Sequence, residues 1–224
     1  MEKIYYNLQD PPTWKPSPED LPADSGAVLL MRHSIRSPMI AGQFGTQIKL
    51  TPIGLNRAAE LGEAWGNRIL QVSSSSSLRC MKTGDQIIRG AGLIMTTLHN
   101  PALGEPGAFI DNSQKAITAM KQQGPMELVN ALLQEISIPG HLSVEEGTRI
   151  MLESFLSDNP PKGKIRVEIT HDTILACMLY HLQGVSSLTE KDWPRMLEGI
   201  LIWKEGQTIF WKWRGQPGNK ALIP

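Results

Sequence analysis

Val28-Leu29-Leu30-Met31 is an unbroken apolar run of strand length, and it ends abruptly in Arg32-His33-Ser34-Ile35-Arg36. A strand with one wet face alternates apolar and polar residues. A run that does not alternate needs cover on both faces, as in a parallel sheet with helices above and below. The polar residues that follow then sit at the strand's C-terminal end.

The rest of the chain alternates strand and helix. Thr51-Pro52 marks a helix start, because threonine can cap the free amides and proline at the first helical position has no N–H to lose; IGLNRAAELGEAWGNRIL continues at helical spacing. Val72 to Ser75 reads as a second strand, LRCMKTGDQIIRGAG as a helix stopped by Gly90, and LIMTTL as a third strand. Between Asn100 and Gly140 the pattern loosens into Gly and Pro punctuation around two amphipathic stretches, SQKAITAMKQQ and PMELVNALLQEI, as a cap inserted over a site would. Ser143 and Glu146 make an S-x-x-E capping box for a helix through Phe155. IRVEIT is a strand leading to His171, and TILACMLYHLQG is a further helix. GILIWKEGQTIFWKWRG, two period-2 runs about a turn, predicts a terminal hairpin in which Trp203, Trp211 and Trp213 serve packing.

These elements predict an α/β fold: three layers, α/β/α, around a mainly parallel central sheet, with a small cap insertion at about residues 100–140 and a C-terminal hairpin. Prolines at 11, 12, 16, 18 and 22 make residues 1–26 an expected extended N-terminal arm, and residues 27–224 an expected single domain. The length suffices to bury a sizeable core. Twenty-two basic residues balance twenty-two acidic ones, so no global charge points to nucleic acid or a membrane, and any anion site must be local. Cys80 and Cys177 lack the spacing of a disulfide framework, zinc site or redox motif and read as buried thiols. With no leader-like apolar segment and no run of membrane-spanning length, a cytoplasmic location is expected.

Three strands end in unusual polar groups: the first in Arg32-His33-x-x-Arg36, the second in the serines at 73 to 77 and Arg79, the later one in Thr170-His171-Asp172. In an open α/β sheet the ligand crevice lies outside the carboxyl ends of the strands, so these clusters can converge. Three guanidiniums offer planar donor forks to the oxygens of a phosphoryl group. A neutral imidazole can attack phosphorus, and neighbouring cations keep it neutral. A second imidazole can stabilise charge on the equatorial oxygens without a metal.

LMRHSIRSP resembles the R-H-G-x-R-x-P signature of the histidine phosphatase superfamily, whose fold is also called phosphoglycerate mutase-like. LTPIGLNRAAELG is similar to its L-T-x-x-G helix, SSSSSLRCMKTG to its S-S-x-x-x-R-x-x-x-T segment, and ITHDTIL to its second histidine motif. The matches run in family order from about Val28 to Gly215. The resemblance implies a phosphohistidine on His33, a phosphate pocket of Arg32, Arg36, Arg79 and His171, with Ser34 beside it, and hydrolysis by water. It implies a small phosphorylated substrate and no cofactor or metal. Ser34 stands where the family usually has Gly, and its side chain could crowd the backbone or donate a hydrogen bond.

Expelling an alkoxide requires a proton donor, and two carboxyls fit. Asp172 matches the His-Asp pair of the family's acid phosphatase branch; Glu105, in NPALGEPG, matches the acid of the mutase-like branch. Asp172 is preferred because its neighbour fixes its position; it is also placed to cap the helix that follows. Three other functions stay open: a mutase using the same intermediate, a member that binds phosphate without turnover, and a metal-dependent hydrolase built on His171-Asp172. The last would need further ligands at helical spacing, which His99, His141 and His181 do not supply.

Overall fold

The computed structural model describes residues 15–38 and 45–221. Most of the expected N-terminal arm, residues 1–14, lies outside the described residues. Among those described the chain forms β1 (Ala27–Arg32), α1 (Pro52–Trp65), β2 (Ile69–Ser74), α2 (Leu78–Gly90), β3 (Leu98–His99), α3 (Ser113–Gln123), α4 (Pro125–Leu133), α5 (Val144–Phe155), β4 (Ile165–Thr170), α6 (Asp172–Gln183), β5 (Gly199–Glu205), β6 (Thr208–Trp213) and β7 (Gln216–Ala221). The strands make one sheet in the order β3-β2-β4-β1-β5-β6-β7. β1, β2, β3 and β4 run parallel, and β5, β6 and β7 continue the sheet antiparallel.

Every residue of β1 is buried, as its unbroken apolar run requires. Its side chains alternate between two cores. Ala27, Leu29 and Met31 pack with Ala58, Leu61 and Trp65 of α1 and Cys80, Ile87 and Ile88 of α2. Val28 and Leu30 pack with α3, α4, α5 and α6 on the other face. This is the expected three-layer α/β/α architecture. No helix among the described residues is long and apolar enough to cross a membrane.

Local sequence accounts for most boundaries. Thr51 Oγ1 accepts from Gly54 N at 3.0 Å, closing the first turn of α1 above Pro52. Gly184 ends α6 in the left-handed conformation, φ 71°. Ser143 caps α5 by accepting from Glu146 N, but Glu146 turns its carboxylate to Arg149 rather than back to the cap. The 100–140 segment contains α3 and α4, whose apolar faces belong to the same core as α6.

Two elements differ from expectation. LIMTTL keeps its period of two, with Leu93 and Met95 against the core and Ile94 outward, yet only Leu98 and His99 find a strand partner in β2. The predicted hairpin is a three-stranded meander, because β7 adds to β6. Its sequence, QPGNKA, has poor strand propensity, and an edge is where a proline without an N–H is tolerated. Gly218 there lies under Trp211, where a Cβ would come within 2.4 Å of the indole.

Candidate active site

The sheet register brings the expected clusters together. Arg32 pairs with Thr170 across β1 and β4, and His33 N donates to Thr170 O at 3.0 Å, so His33 and His171 leave the sheet side by side. Their rings meet edge to face, centroids 5.7 Å apart. β2 ends beside them: Ser75 N donates to Ile169 O at 3.1 Å, and α2 then carries Arg79 back over His171.

Hydrogen bonding fixes both ring tautomers. His33 Nδ1 lies 2.8 Å from Ser34 O, and a carbonyl only accepts, so Nδ1 carries the proton and Nε2 the free lone pair. Arg79 Nη2 lies 3.0 Å from His171 Nδ1, and a guanidinium only donates, so the His171 proton is on Nε2, 3.0 Å from Ser75 Oγ. Burial holds His33 well below the ordinary imidazole value, and the charges of Arg32 and Arg79 lower it further. Burial and then the Arg79 charge lower His171 in the same way. Both rings are neutral near pH 7.

Arg32 is 2% exposed and donates from Nη1 to Pro194 O at 2.7 Å and from Nη2 to Asp172 Oδ2 at 2.6 Å. Arg36, also buried, donates to Ser37 O at 3.0 Å, and its charge acts on both His171 and Asp172. The Nε atoms of Arg32 and Arg79 are buried without a hydrogen-bond partner, an arrangement that an anion with several oxygens would satisfy.

The two candidate acids differ in surroundings. Asp172, at the start of α6, accepts from Thr173 N at 3.0 Å on Oδ1 and from Trp193 Nε1 at 3.4 Å on Oδ2. Burial pushes its carboxyl up, but the charge of Arg32, with a further pull from Arg36, outweighs that and holds it below the ordinary carboxylate range. The resting carboxyl is therefore ionised, although an acid must carry a proton. Glu105 is exposed at the rim, where Ser76 Oγ donates to it at 3.4 Å. The preceding Gly104 (φ 146°) lies against His171, and a Cβ there would fall 2.8 Å from the ring, so only glycine lets this segment close on the imidazole.

Ser34 is not brought into the group. Its hydroxyl donates away from the two rings, to Gly54 O at 2.6 Å, while its N–H donates to Thr83 Oγ1 at 3.0 Å. The crowding raised by a side chain at this position is resolved by burying it against α1, whose Gly54 approaches so closely that a Cβ would lie 2.0 Å from Ile35 O. Cys80 Sγ sits 3.8 Å from His171 Nε2, and burial pushes the thiol up, as expected for a structural cysteine. Sequence reasoning missed Trp193 and Pro194, which reach Asp172 and Arg32 from the segment before β5; no local motif marks them.

No family model matches this sequence, and no curated protein matches it. Solved structures do. A mycobacterial glucosyl-3-phosphoglycerate phosphatase in complex with VO3 is 15% identical over 85% of this chain and 99% of its own, with a TM-score of 0.52. A protein called mycobacterial hydrolase 2 is 14% identical over 88% of this chain and 89% of its own, TM-score 0.52. A candidate alpha-ribazole-5'-P phosphatase from Escherichia coli is 12% identical over 90% of this chain and 97% of its own, TM-score 0.50. The likeness shows a shared fold, the three-layer phosphoglycerate mutase-like architecture.

Proposed function

We propose that this chain is a member of the histidine phosphatase superfamily, a metal-independent phosphatase that hydrolyses a phosphomonoester through a phosphohistidine on His33. The observation that carries the reading is the free lone pair of His33 Nε2 on a buried, neutral ring, beside guanidiniums from two different elements, β1 and α2. Two of the structures that share the fold are named as phosphatases, complete or candidate, which supports the same reaction class.

In this reading Nε2 attacks phosphorus, the N–P bond forms as the P–O ester bond breaks, and the electron pair departs on the ester oxygen, which takes a proton from Asp172. Arg32, Arg36 and Arg79 hold the three equatorial oxygens, and His171 faces them as a neutral donor. Water then attacks the phosphohistidine and gives a proton to the Asp172 carboxylate; the new O–P bond forms as the N–P bond breaks, the electron pair returns to His33 Nε2, and inorganic phosphate leaves. Asp172 acts as acid only once bound phosphate has competed for Arg32 and raised its proton affinity.

The test is phosphate release from a panel of aryl, sugar and metabolite phosphates. The expected result is turnover unaffected by a metal chelator, an acid-labile phosphoenzyme, and loss of at least about 10³-fold in His33→Ala. A second reading, a phosphate binder without turnover, is favoured by the ionised state of Asp172. Stoichiometric phosphate binding with no release from any ester would decide for it.

A further inference from the structure

The segment between α6 and β5 is pinned from below by one ion pair. Glu198, 1% exposed, accepts from Arg214 Nε at 2.7 Å and Nη2 at 2.9 Å, and from Arg195 N at 2.8 Å. The same guanidinium donates to Trp193 O at 3.2 Å and Lys191 O at 2.8 Å and stacks over Trp213 at 5.0 Å. Burying such a pair gains little stability against an apolar alternative, but it fixes geometry. The upper side of the segment touches the site at four points. Glu198 O accepts from Arg32 N at 2.9 Å, Leu197 N donates to His33 O at 3.2 Å, Pro194 O accepts from Arg32 Nη1, and Trp193 Nε1 reaches Asp172 Oδ2.

Asp172 Oδ2 thus shares two donors, Arg32 Nη2 and the Trp193 indole. A phosphate dianion arriving at Arg32 competes for the first and leaves the second in place. We infer that Trp193, held by the Glu198–Arg214 pair, is a positioning residue that keeps the Asp172 carboxyl aimed at the leaving oxygen while Arg32 turns to the phosphate. This rests on the phosphatase reading above. With its counter-charge drawn off, Asp172 takes up one proton from the solution and transfers it to the ester oxygen as the P–O bond breaks. The carboxylate left by that transfer accepts the proton of the water that attacks the phosphohistidine, then loses it to solvent and pairs with Arg32 again when phosphate leaves. Indole N–H on Oδ2 and Thr173 N–H on Oδ1 together prevent the carboxyl from rotating in between.

Trp193→Phe keeps the buried ring and removes the N–H. Its kcat/KM is compared with wild type on 4-nitrophenyl phosphate, phenyl phosphate and glycerol phosphate, whose leaving groups need an acid to increasing degrees. The loss is expected to be small on the nitrophenyl ester and to grow to about tenfold on the alkyl ester, short of the 10²–10⁴-fold that a positioned acid as a whole contributes. Arg214→Lys, which loses the two-point grip on Glu198, should tilt the series in the same sense. Asp172→Asn should tilt it more steeply, and Trp193→Phe should add nothing on that background. An equal loss on all three esters, or none, overturns the inference for an enzyme that is otherwise active. A wild-type protein inactive on the whole series overturns the phosphatase reading itself and takes the inference with it.

Discussion

His33 is neutral because burial disfavours its cation and Arg32 and Arg79 repel a further charge, and its proton is parked on Nδ1 by Ser34 O. Ser34 contributes that carbonyl, which any residue supplies, while its hydroxyl is spent on Gly54 O. Ser34→Ala should therefore leave phosphate-ester turnover unchanged within error while lowering unfolding stability by about 1 kcal/mol, the usual net worth of one buried hydrogen bond. Urea denaturation and kcat/KM measured side by side check this; a large fall in kcat/KM at unchanged stability would put the hydroxyl in the phosphate pocket instead. His33, Arg32, Arg36, Arg79, His171 and Asp172 were legible because each lies in a short motif at a strand end. Trp193, Glu198 and Arg214 were not, since their placement depends on contacts between the loop before β5 and the strand pair after it, and no spacing in the sequence records that.

At the level of the element, β4 carries a feature its pattern concealed. IRVEIT alternates, and in a two-layer protein Arg166 and Glu168 would face water. Here both faces are covered, and Glu168 is 1% exposed at the base of a polar recess of about 240 Å³, lined among others by Ser73, Asn100, Ser154 and Arg166. Burial pushes its carboxyl up to about 7, against the opposing pull of Asn100, Ser73 and Arg166. Its folded pKa lies above the ordinary 4.5, so the proton is bound more tightly in the folded state. The resulting stability is complete below about pH 4.5 and is lost as pH rises through about 7. Glu168→Gln should match wild type in acid and exceed it at alkaline pH by up to roughly 3 kcal/mol, from about 1.4 kcal/mol per pKa unit. Denaturant midpoints at about pH 5, 7 and 9 test the sign, and a pH-independent difference would refute it. Helix starts were the easiest elements to read because Thr51 and Ser143 act on their own first turns. β3 and β7 were hard for the opposite reason: whether an extended segment counts as a strand depends on a neighbour, and β7's Pro and Gly are tolerable only because it is the edge.

Over the whole molecule, what the sequence could not give was the spatial order of the strands. β1 and β4 are adjacent although more than 130 residues lie between them, and it is their register that aligns His33 with His171. This convergence concentrates cations in a chain whose total charge is balanced, 22 basic against 22 acidic residues. Arg32 and Arg79 each depress His33, and Arg36, Arg32 and Arg79 all act on His171, so the folded state carries mutual repulsion that the unfolded chain does not. An anion that binds only the folded state relieves that repulsion and stabilises by mass action. Inorganic phosphate or vanadate at about 100 times its Kd should add about 2.7 kcal/mol, which for a domain of this size is a rise in Tm of about 5–10 °C. With phosphate, Arg79→Ala should abolish most of the rise while His33→Ala keeps most of it, because in the proposed reading the guanidinium would hold the oxyanion whereas the imidazole lone pair would engage only phosphorus under attack. Sodium chloride at equal ionic strength is the control: a rise as large as that with phosphate would mean general screening of surface charge, and the cradle of arginines would not be an oxyanion site.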